Sequence, residues 1–200
     1  MMGTEMTLYA EKRVDNSWEP VPKPVKDRRS GRPCPVQAID IGQPYELFSL
    51  LCGDQIGMQA RLVDVPRLFG GRGLPGDLCP LYRKTLPGRR KSERETGSSW
   101  LLLRELVELD WDQPVRKHAY VEERHASWFH LDKPFPPRLS ELWTTRGIYH
   151  GLIGGPPAGT VRVEWSLPLR EFVGCGEWFI EQLSALAAGA ELRIIYWFDQ

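Results

Sequence analysis

Thr160-Val161-Arg162-Val163-Glu164-Trp165-Ser166-Leu167, the segment from Gly176 through Glu177 to Ala188, and Leu192-Arg193-Ile194-Ile195-Tyr196-Trp197-Phe198 form the stretch on which the fold turns. The first block alternates apolar and polar residues with the period of a strand. The middle block places Phe179, Leu183 and Leu186 on one helical face, and Gly189 stops it. The last block is a strongly apolar run of strand length. This strand-helix-strand ending predicts an α+β fold: a mixed or mainly antiparallel sheet, a few helices on one side and long irregular loops. The last strands are expected to pair with an N-terminal hairpin.

That hairpin is legible as Thr7 to Val14, a turn at Asp15-Asn16-Ser17, and a return through Trp18-Glu19-Pro20-Val21. Residues Lys23 to Pro35 follow with four further cations, Lys26, Arg28, Arg29 and Arg32, and three prolines, which reads as an exposed loop. Tyr45 to Leu51 reads as a short helix with Pro44 before it and Gly53 after it. Gly70 to Gly76 is a glycine-rich irregular loop, and Arg83 to Arg94 a basic polar stretch. Leu102, Leu103, Leu106 and Leu109 recur at helical spacing and predict a helix from Trp100 to Asp110, capped by Ser98 or Ser99. Val115 to Trp128 fits either a strand or an amphipathic helix. The chain is expected to form a single α+β domain over residues 1–200, with mobile loops near 23–37 and 83–97.

Charge removes one class of function. Lys plus Arg equals Asp plus Glu, 26 each, whereas duplex-DNA binders carry a cationic excess. Cys34, Cys52, Cys79 and Cys175 are far apart in sequence and lack the close pairing of zinc or redox motifs, which suits free thiols in a reducing compartment. The first ten residues lack the architecture of a signal segment, and apolar runs such as Trp100 to Leu103 are far too short to span a bilayer. A cytoplasmic location without membrane association is expected.

Several residue groups have chemistry to offer. Glycines at 70, 71, 73 and 76 would let backbone amides approach a phosphate, with Arg67 and Arg72 supplying charge. The spacing matches neither nucleotide-binding fingerprint, so a plain surface loop is the competing reading. On a helix, His118, Glu122 and His125 would share one face and could bind a divalent metal or act as acid and base. On a strand, the two histidines would face opposite ways. Cys175 lies just ahead of a helix, between Gly174 and Gly176, where a lowered thiol pKa or a plain tight turn are the alternatives. Six cations between Arg83 and Arg94 suit a solvated loop or a grip on an acidic protein or RNA. Of eight tryptophans, Trp100, Trp165, Trp178 and Trp197 are expected in the core, and Trp18, Trp111, Trp128 and Trp143 lie near breaks. Tryptophan with arginine is the pairing of binding hot spots, which favours binding over catalysis.

Four segments carry a resemblance: Tyr45 to Gly53, Arg72 to Asp77, Ser99 to Leu106 and Arg193 to Asp199. In patches over most of its length the chain resembles a group of bacteriophage and prophage accessory proteins, departing from them at Gly76 and at Gly97-Ser98. The resemblance implies a small protein that binds and neutralises a host factor or its signalling nucleotide. The expected function is therefore non-catalytic binding of a host protein or a small anionic ligand. The expected ligand site is the loop with Arg72, Gly73, Leu74 and Asp77, beside Tyr45, Ser99 and Trp100. No metal or cofactor is expected. A small enzyme acting on a nucleotide or sugar-phosphate and a virion or assembly protein are the alternatives.

Overall fold

The computed structural model describes residues 5–52, 63–64, 71–86, 95–136, 148–149, 156 and 158–199. Along the chain these form β1 (Glu5–Val14), β2 (Ser17–Val21), β3 (Val25–Lys26), β4 (Pro33–Cys34), α1 (Tyr45–Cys52), β5 (Val63–Asp64), α2 (Pro80–Thr85), β6 (Glu95–Leu102) and α3 (Leu103–Val107). They continue with β7 (Pro114–Glu122), a 3-10 turn (Glu123–Trp128), β8 (Ile148–Tyr149), β9 (Thr160–Pro168), α4 (Leu169–Val173), α5 (Gly176–Ala187) and β10 (Leu192–Asp199). The fold is α+β, and all the described strand pairings are antiparallel. No helix among the described residues is long and apolar enough to cross a membrane.

The chain divides into two compact units. The first comprises Met1–Pro44, Phe69–Leu109 and Cys175–Gln200, and its main sheet runs β2-β1-β10-β6. A two-residue turn joins β1 to β2, with Val14 opposite Ser17 and Asp15 at φ 52°. An aspartate tolerates that left-handed conformation better than a branched residue would. Strand β10 is central, and this explains its apolar run: Ile194, Ile195, Tyr196 and Trp197 are all buried, although they alternate between the two faces. Register sorts the faces. Ala10, Ile194 and Leu101 are opposite one another on one face, and Tyr9, Ile195 and Trp100 on the other. The first face belongs to α3 and α5, which pack on β10. In α5 the buried positions are Gly176, Phe179, Leu183 and Ala187, so the inward stripe runs through Ala187 where Leu186 was expected. The second face is covered by the segment Leu74 to Leu86 that includes α2.

Two expectations change here. The Trp100 to Asp110 helix is much shorter, because Trp100, Leu101 and Leu102 extend β6 and pair with Ile195, Ile194 and Arg193. Strand pairing and burial outweigh the leucine periodicity. Ser99, expected as a cap, lies within β6, and the Glu105 carboxylate instead accepts the Leu102 N–H at 2.8 Å. The stretch near 23–37 is exposed as expected, yet it carries the β3–β4 hairpin. Asp27 pins its tip, with Oδ1 accepting the Arg29 and Ser30 N–H groups at 3.0 and 2.7 Å. Of the basic stretch, Arg89, Arg90, Lys91 and Arg94 lie outside the described residues, as do Arg67, Gly70 and Trp143.

The second unit comprises Tyr45–Leu68 and Asp110–Gly174. Strand β9 pairs here along the whole length of β7, so only β10 of the C-terminal strands joins the N-terminal hairpin. The ambiguous segment is a strand as far as Glu122 and a 3-10 turn from Glu123. One face of the β7–β9 pair carries Ala119 and Val121 opposite Val163 and Val161. Trp165, Phe129 and Phe135 pack against this row, with ring centroids 5.3 to 5.7 Å apart. Fully burying a side chain of this size contributes about 1.5–3 kcal/mol. Trp165 and Trp197 are core as expected, whereas Trp178 is 42% exposed on α5.

Candidate functional site

Charge sits inside the first unit, on the sheet face beneath α2. Glu11 and Arg193 are directly opposite on β1 and β10, and their side chains are only 0% and 4% exposed. Arg193 Nε donates to Glu11 Oε1 at 2.7 Å, and Nη2 donates to the same oxygen. The other carboxylate oxygen, Oε2, accepts the Cys79 N–H at 3.0 Å, which ties the start of α2 to the sheet. Arg193 Nη1 reaches Asp77 Oδ1 at 2.6 Å, and the Trp18 indole N–H reaches Asp77 Oδ2 at 2.9 Å. Tyr82 completes the anchoring of α2 by donating to the Ala10 carbonyl at 2.8 Å.

The same guanidinium belongs to a ladder of alternating cations and indoles. Arg193 lies 4.2 Å from the Trp18 ring centroid and 5.6 Å from that of Trp100. Arg13 also sits over Trp18, at 5.8 Å, and Arg72 over Trp100, at 5.2 Å. Contacts of this kind contribute about 0.5–2 kcal/mol each, more when dry. Arg72 is committed further. Its guanidinium makes a two-pronged pair with Glu105 at 2.8 and 2.9 Å, and its N–H donates to Ser99 Oγ at 3.3 Å.

Of the expected site residues, the structure brings Arg72, Ser99 and Trp100 together, and joins Asp77 to the same ladder through Arg193. Leu74 packs against the core beneath α2, and Gly73 takes a φ of 73°. Tyr45 opens α1 in the second unit, edge-on to Phe48 at 5.9 Å. The charge on Arg72 is offset by Glu105. The charges that face solvent lie instead in a cleft of about 330 Å³ beside α2, lined by Arg13, Trp18, Asp77, Arg83 and Lys84 among others. The Arg83 guanidinium donates to the main-chain carbonyls of Gly76 and Leu78, and has no ion pair among the described residues. Lys84 has no ion-pair partner among the described residues. Arg13 shares Glu191 at 3.4 Å at the exposed rim.

Asp77 and Glu105 are held as anions by their partners. Burial works against the Asp77 charge, but hydrogen bonds from Arg193 and Trp18 outweigh it and hold the carboxyl below its usual range. Glu105 is also depressed: its desolvation is outweighed by Arg72 and by the Leu102 N–H. Burial pushes the Cys79 thiol up to about 11, so it is not a ready nucleophile. No group of three His, Cys, Asp or Glu among the described residues is placed to hold a metal. The helical face imagined for His118, Glu122 and His125 does not form. His118 is opposite Glu164 on the neighbouring strand, Glu122 pairs with Arg124 at 2.7 Å, and His125 is buried in the 3-10 turn.

Sequence reasoning missed Glu11 and Arg193, and singled out Lys84 only as one of six cations in the basic stretch. A signal existed for Arg193, a lone charge inside an apolar run, since a buried charge requires a partner. Nothing local marks Glu11 as that partner, 182 residues away. No protein-family model matches the chain, and no curated protein or solved structure matches it.

Proposed function

We propose that the protein is a non-catalytic binding protein of the cytoplasm that takes an anionic ligand in the cleft beside α2. The observation carrying this reading is the charge balance of that cleft. Arg13, Arg83 and Lys84 line it, while Asp77, its carboxylate among the described residues, is already held by Arg193 and Trp18. A surface with available cations and committed acids attracts anions and offers no free acid-base pair. Arg72 serves this reading as a support, holding Trp100 and Glu105 in place. The resemblance to phage and prophage accessory proteins supplies a setting, in which the anion belongs to a host factor that the protein occupies or sequesters.

Isothermal titration of the full chain with inorganic pyrophosphate and with an acidic peptide tests the reading. Saturable binding by at least one probe is expected, weakening as salt rises and weakened again by Lys84→Ala. Both probes should be recovered chemically unchanged. Absence of binding by both, or turnover of pyrophosphate, would overturn the proposal.

A further inference from the structure

We infer that the anionic ligand is an acidic segment of another protein, lying extended across two clefts that meet at Pro80 and Lys84; this rests on the anion-binding reading above. The second cleft, of about 580 Å³, is lined by Arg32, Pro33, Leu81 and Thr85 together with Pro80 and Lys84. The same two residues line the first cleft, so the two adjoin there. Arg13 and Arg83 thus stand on one side of the shared boundary, Lys84 at it and Arg32 beyond it.

The hairpin supplying Arg32 is held in shape by its own hydrogen bonds. The Asp27 N–H donates to the Arg32 carbonyl at 2.9 Å, and the Gly31 N–H donates to the Asp27 carbonyl at 2.9 Å. The Asp27 carboxylate accepts the Ser30 and Arg29 N–H groups, which partly offset its charge at the tip. Lys26, Arg28 and Arg29 on the same hairpin are exposed. Charge complementarity therefore runs past a single small anion and along both clefts.

The walls decide which polyanion fits. A single-stranded nucleic acid needs open aromatic faces on which bases can stack. Trp18 carries Arg13 and Arg193, and Trp100 carries Arg72 and Arg193, so both indoles of this face are already stacked. Pro33, Pro80 and Leu81 instead offer apolar wall between the cations. A peptide mixing acidic with aliphatic side chains satisfies both features, whereas a bare phosphate uses only the first.

Fluorescence anisotropy with the full chain tests this, using a labelled peptide of Glu and Asp interspersed with Leu. A labelled oligothymidylate and inorganic pyrophosphate, the latter as competitor, provide the contrasts. The peptide should bind saturably and more tightly than the oligothymidylate. Lys84→Ala should weaken it about tenfold and Arg32→Ala about threefold. Both residues line open clefts, and unchanged thermal melts would show that the variants fold. Tighter binding of the oligothymidylate, or an Arg32→Ala variant that binds the peptide normally, overturns the inference. Pyrophosphate binding in the calorimetric titration without peptide binding removes the inference and leaves the anion-binding reading standing. Binding by none of the three removes both.

Discussion

Each unit contains aromatic side chains, and the tryptophans Trp165 of the second unit and Trp18 and Trp100 of the first are held on opposite principles. In the second unit Phe129, Phe135 and Trp165 touch one another over an apolar row of β7 and β9. In the first, Trp18 and Trp100 are separated by guanidinium groups, and a fully buried carboxylate lies beside Arg193. An apolar cluster is stabilised by burial and responds little to pH or salt. A buried ion pair contributes little net stability over an apolar substitute, because desolvation offsets much of its Coulomb attraction. Its strength lies in geometry: every partner must be present, or a charge is stranded. The unit that carries the cationic clefts is thus the one whose surface is held in register by polar contacts.

The sharpest way to break this contrast is to strand that charge. Glu11→Ala leaves Arg193 buried with only Asp77, and should destabilise the chain by about 3–5 kcal/mol in chemical denaturation. A Glu11→Leu, Arg193→Met double replacement should recover most of the loss. If it is as damaging as the single change, the pair is more than a conditional contact. Phe129→Ala in the second unit should cost about 3 kcal/mol, a packing loss unchanged by salt. Trp18→Phe keeps a ring over Arg193 and removes the Asp77 hydrogen bond, for about 1 kcal/mol.

Acid should separate the units without mutation. Asp77 and Glu105 have folded-state pKa values below their unfolded ones. Their contribution is therefore full above the unfolded carboxylate range, about pH 4, and is lost as pH falls through the folded values. Hydrogen-exchange protection at Ile195 should fall in acid before protection at Val163 does. An Asp77→Asn variant should show less of that acid sensitivity, and equal losses at both amides would contradict the contrast. The smallest stability effect is expected for Lys84→Ala, within about 0.5 kcal/mol, since it lines a surface cleft and has no ion pair among the described residues.

Legibility in the sequence followed the range of the interactions. The hairpin, α1, α5, β9 and β10 were readable because turn chemistry and apolar period are local. Trp100 to Leu102 misled because leucines at helical spacing also satisfy a strand edge whose partner, β10, is distant in sequence. The alternation in Val115 to Val121 was ambiguous until Trp165 and Val163 supplied the facing row. The site was half visible. Arg72, Ser99, Trp100 and Asp77 were grouped by proximity in sequence and by resemblance, and they do share one ladder. Its centre, Arg193 against Glu11, joins the two ends of the chain and leaves no local pattern. Arg72 looked like the anion contact because Glu105, which takes its charge, lies inside the stretch read as a longer helix and is 33 residues away in sequence.

The most direct test of the account is a nuclear magnetic resonance titration of the labelled full chain with the acidic peptide. Saturable shifts are expected at the Trp18 indole N–H and at the amides of Arg32 and of Leu78 to Lys84, with Trp165 unmoved. Shifts centred on Trp165 and Phe129, or no saturable shift at any signal, would contradict the claim that the first unit's cationic face is the binding surface.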